Sequence, residues 1–498
     1  MSLKVFRTIF KFALIMNLVI SLYMAVYLAT DHLFKIQGKS LHRSNMIPQF
    51  NKLRNLTYKV NGSDLEERLR VNLISKRKVW LREQLQSVLK CNDRSFKRKI
   101  LQRGDFWVFK NYILASHGPL HCFESVTYTT HGSYRFLRNL FTLVQRWDAP
   151  VSIAVYAPGR DFTASIGCIR YLRDCHPESH FIRYFVTFHL YFPSQHIPSS
   201  IPENIDQVIE NPIECGDYIL CDDSPPEVEY KLKKNLLYPV NVGRNIARDA
   251  ALTHFILASD VELFPNPGLV NQFLEMIVAQ GITAQKENHE VYAMPVFEIE
   301  SFVASPNNKS QLQLLFEKGH AIVFHQKHCK ECQSVSMVSE WIEEDQTPQL
   351  KIFLTAKRKD KLFHWEPIFI GTNDDPYYEE RLSWEGLGEK MVQAHILCLQ
   401  NYSFHILNNA FLVHKPGIRR HLDLKYDPGV NNNNYVAYNI LPEIFKVYGR
   451  QAGCQMFHNA NTSRAVSLNQ RRLSQDVIKL MTSVAVFYVR WIKYLTIF

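Results

Sequence analysis

Thr253-His-Phe-Ile-Leu-Ala-Ser-Asp260-Val-Glu262-Leu-Phe-Pro265-Asn-Pro-Gly268 is the stretch on which the fold turns. An apolar run ends in two acidic residues separated by one valine, and a Pro/Gly turn follows. The run Phe255 to Ala258 reads as a buried strand with Asp260 and Glu262 at its C-terminal tip. Period-two alternation would put both side chains on one face. Ligands of open α/β sheets collect outside such tips. Two carboxylates there suit a hard divalent cation, with a nucleotide diphosphate completing its shell. The plain alternative is an acidic strand-end turn.

Strands and helices alternate around this stretch. Trp107 to Ile113, Val151 to Tyr156, Ile182 to Leu190 and Val291 to Ile299 read as strands, and Arg135 to Arg146 and Asn241 to Leu252 as helices. That order predicts an α/β sheet of nucleotide-binding character. Asp64 to Lys90 has helical spacing, with Leu65, Leu69, Ile74, Leu81, Leu85 and Val88 on a rough stripe. Such a stripe docks on its own body, or pairs with a second copy as a short coiled coil.

Charge is unevenly placed. Residues 1–110 hold 22 Lys+Arg against 7 Asp+Glu, and the remainder 36 against 40. The basic balance therefore belongs to the N-terminal region, and the body does not read as a nucleic-acid binder. Phe12 to Thr30 carries no charge and follows Lys4, Arg7 and Lys11. A helix of that length spans about 28 Å, close to a hydrocarbon core. The reading is an uncleaved signal anchor with the body in the lumen. The predicted limits are a cytosolic tail (1–11), anchor (12–30), stem (31–90), catalytic domain (91–450) and tail (451–498).

Ten cysteines and sequons at Asn55, Asn61, Asn308, Asn401 and Asn461 agree with an oxidising compartment. Cys329-Lys-Glu-Cys332 lacks a partner motif at zinc-ribbon spacing, so a local disulfide or structural thiols are expected there. Val477 to Ile497 is apolar but interrupted by Lys479, Arg490 and Lys493. It reads as a docked or membrane-surface helix.

Three more clusters could carry chemistry. Arg244 and Arg248 lie four apart on one helix face, with Asn245 between them, and suit phosphates or a base. The apolar run through Asn408 to Val413 ends at His414-Lys415-Pro416-Gly417. His414 could ligate a metal there and Lys415 could meet a phosphate. Phe363 to Arg381 mixes aromatics, suited to sugar rings, with Glu366, Asp375 and Glu379, any of which could serve as a general base.

In this order the clusters resemble glycosyltransferase family 49. The resemblance runs from about Trp107 to His421. It is carried by Arg244-Asn245-Ile-Ala-Arg248, Asp260-Val-Glu262, Val296-Phe-Glu298-Ile and Cys329-x-x-Cys332, then by Trp365-Glu366-Pro367, Tyr378-Glu379-Glu380-Arg381 and Asn408 to Lys415. It implies a GT-A fold (a mixed sheet flanked by helices), a single-pass Golgi enzyme and Mn²⁺ dependence. It also implies transfer of glucuronic acid from UDP-glucuronic acid to a xylose-terminated O-mannosyl glycan of the α-dystroglycan type. On that reading Asp260, Glu262 and His414 hold the metal. Arg244, Asn245, Arg248 and Lys415 bind the donor, and the base is Glu379, Asp375 or Glu366. The partners are UDP-glucuronic acid, a glycoprotein acceptor, the Golgi membrane, and a second copy or a related glycosyltransferase. The chain departs from the family pattern at Glu262, where aspartate is usual, at Glu379, and at Gly386-Leu387-Gly388. Alternative readings keep the fold but use UDP-xylose or UDP-N-acetylglucosamine, or only bind glycans.

Overall fold

The computed structural model describes residues 64–211, 213–215, 221, 229–282, 289–327, 335–418 and 432–456, with side chains from residue 76 onward. The expected cytosolic tail and anchor, most of the expected stem, the Cys329–Cys332 motif, three of the sequons (Asn55, Asn61 and Asn461) and the apolar C-terminal run lie outside those residues.

Within them is a mixed α/β fold, a large mixed sheet flanked by helices. Its strands are β1 (Lys99–Arg103), β2 (Phe106–Ile113), β3 (Val126–Gly132), β4 (Val151–Tyr156), β5 (Val186–Pro193), β6 (Phe255–Ala258), β7 (Leu263–Pro265), β8 (Glu290–Ala293), β9 (Val296–Ile299), β10 (Ala321–Val323), β11 (Ile352–Ala356), β12 (Phe369–Thr372), β13 (Ser403–Leu407) and β14 (Leu412–His414). Ten form the large sheet in the order β1-β2-β5-β4-β3-β6-β12-β8-β13-β11, and four form a second in the order β10-β9-β14-β7. The neighbours β5, β4, β3 and β6 run parallel. Strands β3 and β4 are buried along their whole length. Both faces are covered, so these segments cannot alternate apolar and polar as a half-exposed strand does.

The chain builds β3, β4 and β5 in one direction across the sheet, then returns to lay β6 on the other side of β3. The order therefore reverses between β3 and β6. A crevice opens at the strand tips where such a reversal occurs. His131 lies near the end of β3 and Asp260 just beyond β6.

Three expected elements differ in detail. The segment 182–190 is not one strand: Ser179–Phe185 is helical and β5 begins at Val186. Ile182 is buried, and a short apolar run suits either period. The segment 291–299 divides into β8 and β9, which belong to different sheets. Pro295 lies between them, has no N–H for a ladder, and its carbonyl accepts from Leu412 N at 3.0 Å. The helix expected from Arg135 begins as a 3-10 turn (Tyr134–Asn139) before the α-helix Leu140–Trp147. That tighter turn rotates Phe136 outward, 44% exposed, and puts Leu137 in the core instead.

The helix Asp64–Leu89 docks its end on the body. Leu81, Leu85 and Leu89 join the main core with Phe123 and Val126. The packed body therefore begins before Cys91. It also runs past residue 450, because Met456 is buried and Cys454 is bonded to Cys398. Further disulfides join Cys91–Cys122, Cys168–Cys221 and Cys175–Cys215.

Candidate active site

Asp260 and Glu262 follow β6 in a tight turn rather than extending it. Leu263 N donates to Asp260 O at 3.0 Å, and Tyr128 Oη caps both Asp260 O and Leu263 O. The turn breaks the period-two alternation, so the two carboxylates enter different surroundings.

Asp260 faces cations. Its Oδ1 accepts from Arg244 at 3.0 Å and lies 3.2 Å from His131 Nε2, while its Oδ2 is 2.8 Å from Lys390 Nζ. Burial alone would raise its pKa. Lys390 and Arg244 override burial and hold the carboxyl well below its usual range. Burial lowers the pKa of His131 and keeps the ring neutral. A carboxylate only accepts, so Nε2–H of His131 donates to Asp260 and Nδ1 accepts from Tyr238 Oη at 2.8 Å.

Glu262 faces His414 through strand register. Antiparallel pairing of β7 with β14 sets Leu263 opposite His414. Lys415 N donates to Glu262 O at 2.8 Å, and the Glu262 carboxylate stands 3.8 Å from His414 Nε2. Nδ1 of His414 lies 2.9 Å from Lys415 O, and the ring stacks on Phe324 at 5.4 Å. A carboxylate and an imidazole so arranged fit a divalent ion as two of its ligands. Asp260 is not gathered with them. Among the described residues, no group of three or more His, Cys, Asp or Glu side chains stands together as a ready metal cage.

The helix Val240–Ala250 supplies the arginines. Val242, Ile246 and Ala247 pack on the sheet with Tyr156 and Tyr191. Gly243 is needed at that contact, since a Cβ there would come 2.6 Å from Tyr191 Oη. The opposite stripe, Asn241, Arg244, Asn245 and Arg248, is buried under residues 372–390 rather than solvated. Only Arg244 of this stripe reaches Asp260. Asn245 pairs with the backbone N and O of Tyr378 and with Glu380. Arg248 donates to Pro376 O at 2.9 Å and Asp375 O at 2.8 Å, beneath the rings of Tyr377 and Tyr378. These two clamp a loop; their polar groups point into protein.

The three candidate bases separate in the same way. Asp375 accepts from Thr372 N at 2.7 Å and Tyr402 Oη at 3.0 Å, closing the end of β12. Glu379 is held bidentately by Arg381, both bonds 2.8 Å. Glu366 lines a narrow cavity of about 10 Å³, room for one water, beside Arg244, Tyr378 and Lys390. Burial, assisted by nearby Glu389 and opposed by Lys390, pushes Glu366 up to about 7. Its neighbour Trp365 is a core residue against Phe404, not a sugar-facing ring.

His131, Tyr238, Glu389 and Lys390 were missed by sequence reasoning. Thr129-Thr-His131-Gly132 carried a usable signal, a polar tip on an apolar strand. Lys390 carried none, since it follows a glycine-rich turn far along the chain.

The fold and this site define an α/β enzyme that gathers acidic and cationic groups at a switch point. A family described as "Glycosyl-transferase for dystroglycan" matches residues 125–449. The chain belongs to that family, glycosyltransferase family 49, and is a β-1,4-glucuronyltransferase-like glycosyltransferase. Beta-1,4-glucuronyltransferase 1 of Bos taurus is 27% identical over 349 residues, covering 67% of this chain and 77% of that protein. The Mus musculus protein of the same name is 27% identical over 353 residues, with the same coverage. Xylosyl- and glucuronyltransferase LARGE2 of Rattus norvegicus is 30% identical over 183 residues, 36% of this chain and 25% of that protein.

Proposed function

We propose that this chain is an inverting GT-A enzyme that transfers glucuronic acid from UDP-glucuronic acid to a xylose-terminated glycan on a glycoprotein of the dystroglycan type. The observation that carries this reading is the pair Arg244 and Lys390 on Asp260 at the β3/β6 switch point, beside Glu262 and His414. Cationic groups at that position would attract a diphosphate, and the names of the similar proteins supply the sugar. Mn²⁺, when bound, would neutralise charge on the departing diphosphate. Glu262 and His414 would hold it, with Asp260 the third candidate ligand. Glu366 is the proposed base, because it lines the cavity beside Arg244 and Lys390 and its pKa is raised towards neutrality. Inversion needs one base and no covalent sugar intermediate. Lys415 stays a candidate contact for the donor. The four disulfides among the described residues, and the uncharged run Phe12 to Thr30 of the sequence, support a Golgi lumenal body on a single-pass anchor.

The test is UDP release from UDP-glucuronic acid with a xyloside acceptor, with and without Mn²⁺. Metal-dependent turnover, lost in Glu262→Ala, supports the proposal. Turnover of UDP-xylose or UDP-N-acetylglucosamine instead would replace the donor. UDP binding without transfer of any sugar would point to a glycan-binding protein.

A further inference from the structure

Lys390 is an unusual residue to find at the acidic tip. It begins the helix Met391–Leu399 as its cap, and its side chain is 16% exposed. Its ammonium, 2.8 Å from Asp260 Oδ2, occupies the side of the carboxylate that Arg244 leaves open. Arg244 is anchored independently by Asn241 Oδ1 at 2.8 Å and Glu389 at 3.2 Å, and its guanidinium lies over the Tyr378 ring. Among the described residues the Lys390 ammonium makes one ion pair, to Asp260, and a lysine stem turns through four bonds. It also lines the narrow cavity beside Glu366 and Arg244. The residues before it are held under tension. Leu387 sits at φ 58°, ψ 166°, a region essentially restricted to glycine, and Gly388 follows at φ 64°.

We propose that Lys390 is a tethered counter-ion and donor-binding residue. It neutralises Asp260 while the donor is absent and moves to the donor's diphosphate when Asp260 is needed by the metal. This rests on the proposed nucleotide-sugar reaction and adds to it the residue that exchanges partners. The two roles have opposite signs. On Asp260 the ammonium competes with a divalent cation; on the diphosphate it strengthens nucleotide binding.

The experiment uses the intact chain. Mn²⁺ affinity without nucleotide is read by electron paramagnetic resonance, and UDP affinity with saturating Mn²⁺ by calorimetry. Lys390→Met should bind Mn²⁺ more tightly and UDP more weakly, each by about tenfold, the scale of one charge-assisted bond. Lys390→Arg should keep most of the UDP affinity. Loss of both affinities together, or no change in either, overturns the proposal while leaving the nucleotide-sugar reading intact. If the wild-type chain binds neither Mn²⁺ nor UDP, that reading falls and the proposal falls with it.

Discussion

At the scale of single residues, the site is decided by what each carboxylate already touches. Asp375, Glu379 and Glu366 look interchangeable in the sequence, yet Glu366 combines a raised pKa with a place on the cavity wall beside Arg244 and Lys390. If it is the base, activity should rise with pH through about 7 as its proton is lost. Glu366→Gln should lose that limb and lower kcat by about 10²- to 10⁴-fold. A pH–rate profile of both forms checks it; a profile unchanged in the variant moves the base elsewhere. His189 gives a stability prediction of known sign. It is fully buried, with Nδ1 accepting from Asn111 N and Nε2 at 2.8 Å from Ser152 Oγ, and burial lowers its pKa to about 3. The unfolded ring, near 6.5, binds a proton first as pH falls. Its contribution is thus complete above about 6.5 and declines from there towards 3. His189→Gln should flatten the fall of melting temperature between pH 7 and 5. Asp260 and His414 were legible because each ends an apolar run. The roles of Asn245 and Arg248 were not, because spacing places side chains on a helix face without saying what covers it.

At the scale of elements, the helix Val240–Ala250 and the segment 372–390 form one unit. The helix presents a polar stripe, and the segment satisfies it with backbone carbonyls and carboxylates. A helix with polar groups on its buried face looks amphipathic in the usual way, so its spacing did not reveal the second layer that covers them. The turn from Asp260 to Leu263 was hidden for a similar reason. The alternation argument assumes that a strand continues, and Tyr128, from a distant strand, caps the turn that ends it. The strained point of the unit is Leu387, 39% exposed, whose backbone is bonded to Trp384 O and to Asn432 Nδ2. Leu387→Gly removes about 1–3 kcal/mol of strain, keeps both backbone bonds and costs about 0.5–1 kcal/mol in unfolded-chain entropy. The variant should therefore be more stable by about 1 kcal/mol in a urea titration. A loss of stability would show that the leucine side chain contributes more than its exposure suggests.

At the scale of the whole molecule, the strand order was the least legible feature, because it depends on pairings more than a hundred residues apart. Sequence suggested an α/β sheet; that β6 returns beside β3, and that β14 lies in a second sheet against β7, follows only from long-range register. The C-terminal residues 432–456 illustrate the same dependence. They pack Val436, Ile440 and Ile444 against Val392 and Ile396 of the helix that starts at Lys390. The Cys398–Cys454 disulfide, closing a separation of 56, fastens that layer. Cys175–Cys215 closes a separation of 40 between segments that contribute none of the site residues. Loop-closure entropy gives the two bonds nearly equal worth, about 4 kcal/mol each in the chain-entropy model. Replacing either pair by serine should then lower stability by similar amounts. Their effects on the site should differ. Loosening residues 432–456 releases the support of Asn432 under Leu387 and of Glu443 on Arg381, and with it the placement of Lys390. UDP affinity measured below both melting transitions should therefore fall several-fold in the Cys398→Ser/Cys454→Ser variant and stay near wild type in Cys175→Ser/Cys215→Ser. Equal affinity in both variants would mean that the helix holds Lys390 in place without the layer behind it.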